Sequence, residues 1–265
     1  MTHKTFLFAA LVGVLGWCCV SCESNDPSKT VGESSTYVAK GFSVSANKQV
    51  VFSPGNLQYQ ASTDTWRFAN HQYDYVGVLN EDISPTNENW IDLFGWGTGN
   101  KPTNTSEDEA DYATFVDWGT NKIGKYKANT WRTLTIDEWD YLLFKRISAA
   151  TLWGTATVNN THGLILLPDD FKLPIDMTFV ARGYDINAYS TYEWENMEQS
   201  GAVFLPAAGS RNSSGVSGVL QYGVYWSATS YDLDIALHIF IYWNELYWTG
   251  TNRNVGLSVR LVQDV

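Results

Sequence analysis

The chain has 265 residues, with 28 acidic side chains against 17 Lys and Arg and a formal net charge of −11. That balance argues against a nucleic-acid partner, because a phosphate backbone is met by clustered basic side chains. Its three cysteines, Cys18, Cys19 and Cys22, all lie near the amino terminus, so the remainder has neither a disulfide nor a thiol to use.

Lys4 gives a short positive start, and Phe6 to Val20 is an apolar run of about fifteen residues. Such a run is too short to span a bilayer comfortably and predicts a signal peptide over residues 1–21. Ser21 followed by Cys22 resembles a lipoprotein cleavage site, which would leave the lipid on Cys22 and tie the chain to a membrane. An ordinary secretory signal with incidental cysteines is the alternative. Cys18 and Cys19 are rival acceptors, but Trp17 or Cys18 would then precede the cleaved bond, which fits worse. Residues 22–36 are polar and read as a flexible tether. Residues 37–265 show no repeat at a solenoid period and are expected to form one domain, long enough to bury a large core.

Two segments of that domain look helical. Thr135-Ile136-Asp137-Glu138 fits a capping box, and behind it Trp139, Leu142, Leu143 and Arg146 keep helical spacing. Ser190-Thr191-Tyr192-Glu193 offers a second such start, followed by Trp194, Met197 and a Gly201 stop. Elsewhere short β-type runs, including Leu164 to Leu167 and Ala202 to Leu205, alternate with Gly, Asn and Pro turns. Two short helices among many short mixed or antiparallel strands and long loops predict an α+β fold.

The carboxyl end is the most patterned part. In Ala236 to Tyr242, Leu237, Ile239 and Ile241 share one face of a strand, and His238, Phe240 and Tyr242 share the other. Gly256 to Val262 alternates too, predicting Leu257, Val259 and Leu261 inward with Ser258 and Arg260 opposite. Between them Trp243 to Asn252 has no helix period and ends in turn residues, so it reads as a connecting loop.

Four blocks carry a family resemblance. They are Val51 to Tyr59 with Trp66-Arg67-Phe68, Trp131 to Trp139, Gly201 to Gly209, and Gly223 to Thr229 with Asn252 to Val262. Together they resemble bacterial C-type-lectin-like domains of the formylglycine-generating-enzyme-like superfamily, and most of all the major paralogous domain of Bacteroidetes surface lipoproteins. The resemblance implies a lectin-like domain on an outer-membrane, surface-exposed lipoprotein, and Glu23-Ser24-Asn25-Asp26 is similar to the export tag of that group. Some members are variable proteins of diversity-generating retroelements. Adenine-directed change of AAC codons yields Tyr, Asp, His, Phe and Asn but never Trp or Glu. Tyr231, Asp232, His238, Phe240, Tyr242 and Asn254 fit that spectrum, whereas Trp243, Glu245 and Trp248 do not.

Catalysis finds little support. The copper-binding cysteine pair of the formylglycine-generating relatives has no counterpart after Cys22. His71, His162 and His238 are scattered, with no nucleophile elbow around a serine and no pair at zinc-ligand spacing. Glu107 to Asp111 with Asp117 reads as a solvated acidic loop, with a Ca²⁺ site as the alternative. The sugar-contacting triplets of calcium-dependent lectins are missing, Trp226-Ser227-Ala228 standing where one would lie. No cofactor or metal is expected. Trp66, Trp131, Trp139 and Trp226 read as core.

The remaining aromatic and polar side chains form the expected ligand-binding set: Tyr231, Asp232, Asp234, His238, Phe240, Tyr242, Trp243, Glu245, Tyr247, Trp248, Asn252 and Asn254. Aromatics with polar neighbours are the mix that binding surfaces favour. The expectation is a monomeric binding protein with an extracellular protein or glycan ligand. A structural or adhesive surface lipoprotein is the alternative, and a carbohydrate-active enzyme a more distant one.

Overall fold

Alternating apolar runs punctuated by turn residues become short strands in the computed structural model, which describes residues 40–183, 186–213, 215–243 and 245–265. The expected signal peptide, Cys22 and the tether lie outside the described residues. In chain order the elements begin with β1 (Phe42–Ser45), β2 (Lys48–Phe52), β3 (Leu57–Gln60), β4 (Thr65–Phe68), β5 (Trp90–Ile91) and α1 (Ile136–Asp140). They continue with β6 (Trp153–Val158), β7 (Thr161–Leu166), β8 (Asn187–Tyr189), α2 (Thr191–Gln199), β9 (Val203–Pro206), β10 (Ser210–Asn212) and β11 (Gly215–Ser217). The last are β12 (Tyr222–Ser230), β13 (Ile235–Tyr242), β14 (Glu245–Asn252) and β15 (Val262–Asp264). Pairing is antiparallel except between β6 and β8. The result is a mixed α/β domain with short helices, as the pattern predicts.

Both helices start where local chemistry places them. The Thr135 hydroxyl accepts the Glu138 N–H at 3.2 Å, and the Glu138 carboxylate accepts the Thr135 N–H at 3.0 Å. That reciprocal pairing satisfies two amides the first turn would leave open. Glu138 also takes two hydrogen bonds from Arg132, at 2.7 and 2.8 Å. After Asp140 the helix widens into a π turn over Tyr141–Lys145, closed by the Arg146 N–H on the Tyr141 carbonyl at 2.8 Å. Arg146 is buried against Asp169 at 2.9 Å. Ser190 and Glu193 form the second capping box, and Gly201 ends that segment with a φ of +97°, a conformation that only glycine adopts cheaply.

Three apolar clusters fill the domain. The first gathers Phe42, Phe52, Trp139, Leu142, Leu143, Leu164 and Leu205 around Tyr225, Leu237, Ile239 and Ile241. The second gathers Leu57, Trp66, Phe94, Trp118 and Trp131 around Val224, Trp226 and Ala236. The third lies under α2, where Trp194 and Met197 meet Val158, Ile165 and Phe204. Strands β12 and β13 therefore stand between two cores. The four tryptophans expected inside are all buried. The carboxyl end returns to the amino-terminal strands, with Val262 opposite Phe52 and Gln263 opposite Val51.

Two expectations about the carboxyl end are corrected. Gly256 to Val262 is not one two-faced strand. Gly256, Leu257 and Ser258 make single bridges to Arg211, Phe94 and Tyr225, and only Val262–Asp264 is a strand. Ser258 and Arg260 are buried like Leu257, Val259 and Leu261, because this segment threads between layers and neither side meets water. Arg260 donates to the buried Gln72 Oε1 at 2.6 Å. The second correction concerns Trp243 to Asn252. Residues 245–252 are not a loop but strand β14, paired with β13 along its whole length. Tyr242 pairs with Glu245 at the hairpin end, and Trp243 leaves β13 at a φ of +51°. Tyr, Trp and Thr suit a pleated, half-buried strand, and the partner strand sets the register that the chain pattern left open.

Candidate ligand-binding face

In the β12-β13-β14 sheet, Tyr222 lies opposite Tyr242, Val224 opposite Phe240, and Phe240 opposite Tyr247. Directly opposite residues share a face, so Tyr222, Phe240, Tyr242 and Tyr247 project together. Phe240 is the centre. Its ring stacks on Tyr222 at 5.6 Å and 26°, and on Tyr247 at 5.2 Å and 30°. Tyr242 leans on it at 6.2 Å, and Trp243 meets Tyr242 edge-on at 5.8 Å. Phe240 and Tyr222 are half-buried, while Tyr242 (37%), Trp243 (41%) and Tyr247 (43%) are open to solvent. The Tyr222 hydroxyl is held by the Ser210 and Ser217 hydroxyls, at 3.1 and 3.0 Å, on the β10-β11 hairpin. Glu245 and Thr249 extend the same face along β14. In this aromatic platform Tyr222, Phe240 and Tyr247 thus form a near-parallel stack, with Tyr242 tilted against it and Trp243 edge-on beyond.

The other expected site residues do not join it. His238 shares the platform's parity, but it is only 4% exposed and lies edge-to-face with Trp226 at 6.0 Å. Burial pushes its pKa down to about 4, so the ring is neutral at pH 7. The core under Trp226 continues over this end of β13, and His238 is a core residue rather than a ligand contact. Trp248 sits opposite Ile239 and so projects from the other face, its indole donating to Asp140 Oδ1 at 3.1 Å. One residue of offset along a strand reverses the face.

Tyr231, Asp232, Asp234, Asn252 and Asn254 lie at the far end of the sheet. Ile235 pairs with Asn252 there, whereas Tyr242 pairs with Glu245 at the hairpin. At about 3.3 Å per residue the two ends are roughly 23 Å apart. Asp232 Oδ1 accepts the N–H groups of Asp234 and Ile235, at 2.9 and 2.7 Å, and so shapes its own turn. Buried Arg253 fixes this end from below. It lies over the Trp96 ring at 4.4 Å and donates to the Tyr112 carbonyl at 3.2 Å and to the Asp232 carbonyl. The twelve expected residues thus divide among a hairpin-end platform, a remote turn, the core and the reverse face.

Tyr222 belongs to the platform and was not among the expected residues. Carrying the alternation of Val224 and Trp226 back past Gly223 puts Tyr222 on their face, a signal that is present in the sequence. In the acidic loop, Asp108 caps the Ala110 N–H at 3.0 Å. Asp117 accepts from the Gly119 N–H at 2.9 Å, the Thr133 N–H at 2.9 Å and the Thr133 hydroxyl at 3.1 Å. Among the described residues no group of three or more His, Cys, Asp or Glu is placed to hold a metal ion.

The fold and this face define a mixed α/β domain of short, mostly antiparallel strands that presents a rigid aromatic surface at one hairpin. Comparison with protein-family models, with curated proteins and with solved structures returns no match.

Proposed function

We propose that this chain is a non-catalytic binding protein with a C-type-lectin-like domain, carried on the outer surface of the cell by a lipid on Cys22. Its ligand, an extracellular glycan or protein, is taken on the platform of Tyr222, Phe240, Tyr242, Trp243 and Tyr247. The observation that carries this reading is the near-parallel, cross-strand stack of half-exposed rings at the hairpin. Tyrosine and tryptophan give large contact area at low entropic cost, and the Tyr222 anchor means little order is lost on binding. The retroelement reading narrows to Tyr222, Phe240, Tyr242 and Tyr247, since Trp243 lies outside the AAC spectrum.

Arrays of glycans and of surface proteins identify the ligand. The triple variant Tyr242→Ala, Trp243→Ala, Tyr247→Ala should lower its affinity by at least thirtyfold, since central aromatic anchors commonly carry about 2 kcal/mol or more each. Unchanged binding by a folded triple variant would sink the assignment, and a chelator should have no effect. The anchor is tested separately: Cys22→Ala should release the protein from membranes, and retention of a metabolic lipid label by that variant would count against it.

A second reading, a structural lipoprotein of a surface assembly, draws on β14. This exposed strand is at the edge of its sheet, paired on one side by β13. Open strand edges template pairing with another chain. Concentration-dependent mass in light scattering, abolished by Trp248→Pro at a position whose N–H faces the open edge, would favour it.

A further inference from the structure

A cavity of about 410 Å³ opens away from the platform and includes no residue of β12, β13 or β14. One wall is apolar, built from Phe52, Pro54, Tyr126, Trp131 and Val203. Tyr126 and Trp131 meet edge-to-face at 5.2 Å, and Phe68 supports both rings at 5.9 and 5.3 Å. Helix α2 adds Glu195, Glu198 and Gln199 to the lining. Their spacing of three and four places all of them on one helix face.

The acidic wall is built rather than incidental. Gln72, only 2% exposed, donates to Glu198 Oε1 at 2.8 Å and to the Ala202 carbonyl at 3.2 Å. Its own oxygen accepts the Phe204 N–H at 2.8 Å and Arg260 at 2.6 Å. Gln72 is thereby locked, and it sets the Glu198 carboxylate in place. The lining contains two carboxylates and no Lys, Arg or His. Neither Glu195 nor Glu198 has an ion-pair partner among the described residues. Two cations lie just behind this lining: the buried Arg260 guanidinium, one hydrogen bond away on Gln72, and the exposed Lys125, whose ammonium lies 5.5 Å from the centre of the Tyr126 ring.

We propose that this cavity is a second binding site and that it takes a small organic cation with an apolar body, such as an arylalkylamine. The volume falls in the range of small-molecule pockets, which are mostly apolar with a few placed polar groups. Carboxylates on one wall attract an ammonium, and the aromatic wall offers both apolar contact and cation–π attraction. An anion would meet two like charges, and a neutral ligand would gain no charge attraction from either carboxylate.

Three probes share one body and differ in the head group: 2-phenylethylamine, 2-phenylethanol and phenylacetate. Titrated into the full-length protein and followed by calorimetry and tryptophan fluorescence, the amine should bind at least tenfold tighter than the alcohol, and phenylacetate least. Glu195→Gln with Glu198→Gln keeps the shape and the acceptor for Gln72, and should lower amine affinity at least tenfold. The exposed Glu195→Gln change alone, which carries little folding risk, should lower it severalfold. The platform triple variant should bind the amine as the parent does, so the two sites fail or stand independently. Equal binding of alcohol and amine, amine affinity unmoved by the Gln changes, or no amine binding at millimolar concentration would each overturn the proposal.

Discussion

The two faces of β13 carry side chains of similar bulk and meet different neighbours. On one face Leu237, Ile239 and Ile241 are buried right up to the hairpin. On the other, burial fades from His238 through half-buried Phe240 to exposed Tyr242. The difference does not come from hydrophobicity, since Phe240 is as apolar as its neighbours. It comes from where the covering layer ends. The core beneath Trp226 stops short of the hairpin, and the rings beyond that margin cover one another instead of being covered. A binding surface arises where aromatic alternation outruns the layer that would bury it.

The largest effect should appear on the fully covered face. Ile239→Ala leaves a cavity and should cost about 2–5 kcal/mol, while Tyr242→Ala, with much of its side chain in solvent, should cost less than about 1 kcal/mol. Urea denaturation of the two variants measures both, and equal losses would remove the contrast between the faces.

The next effect is set by pH at the margin itself. Burial holds His238 neutral, with a folded pKa of about 4 against an ordinary 6.5. As pH falls below 6.5 the unfolded chain takes up the proton first, so this group's contribution to stability is lost progressively down to about pH 4. Between pH 7 and pH 5 the loss is about 2 kcal/mol. Asp92 acts with the opposite sign. Burial raises its pKa from 3.8 to about 6 despite hydrogen bonds from Asn80 and Val76. Its penalty, present at pH 7, is relieved as pH falls through 6, returning roughly 1 kcal/mol over the same interval. His238→Phe removes only the first contribution. On going from pH 7 to pH 5, that variant should therefore change in stability by about 2 kcal/mol more favourably than the parent. Parallel stability–pH curves for the two proteins would mean that His238 is wet.

What the chain made legible was local. Both capping boxes, the helix stop at Gly201 and the shared face of Leu237, Ile239 and Ile241 follow from spacings of a few residues. The burial of Ser258 and Arg260 was not legible, because an alternating pattern cannot say whether a second layer covers its polar side. The same limit put His238 among the ligand contacts. Tyr247 and Trp248 looked alike until β13 fixed the register that separates them. The α2 cavity was invisible for a different reason: its walls run from Val51 to Gln263, and no short pattern connects them.

Those adjacent aromatics offer the most direct test. Tyr247 stacks on Phe240 in the platform, whereas Trp248 reaches Asp140 on the reverse face, and their exposures are similar at 43% and 45%. Tyr247→Ala and Trp248→Ala should be titrated side by side against the ligand retained by the arrays. The expected result is at least a tenfold loss of affinity for Tyr247→Ala and a change within twofold for Trp248→Ala. A greater loss for Trp248→Ala would contradict it and move the site to the α1 side of the sheet.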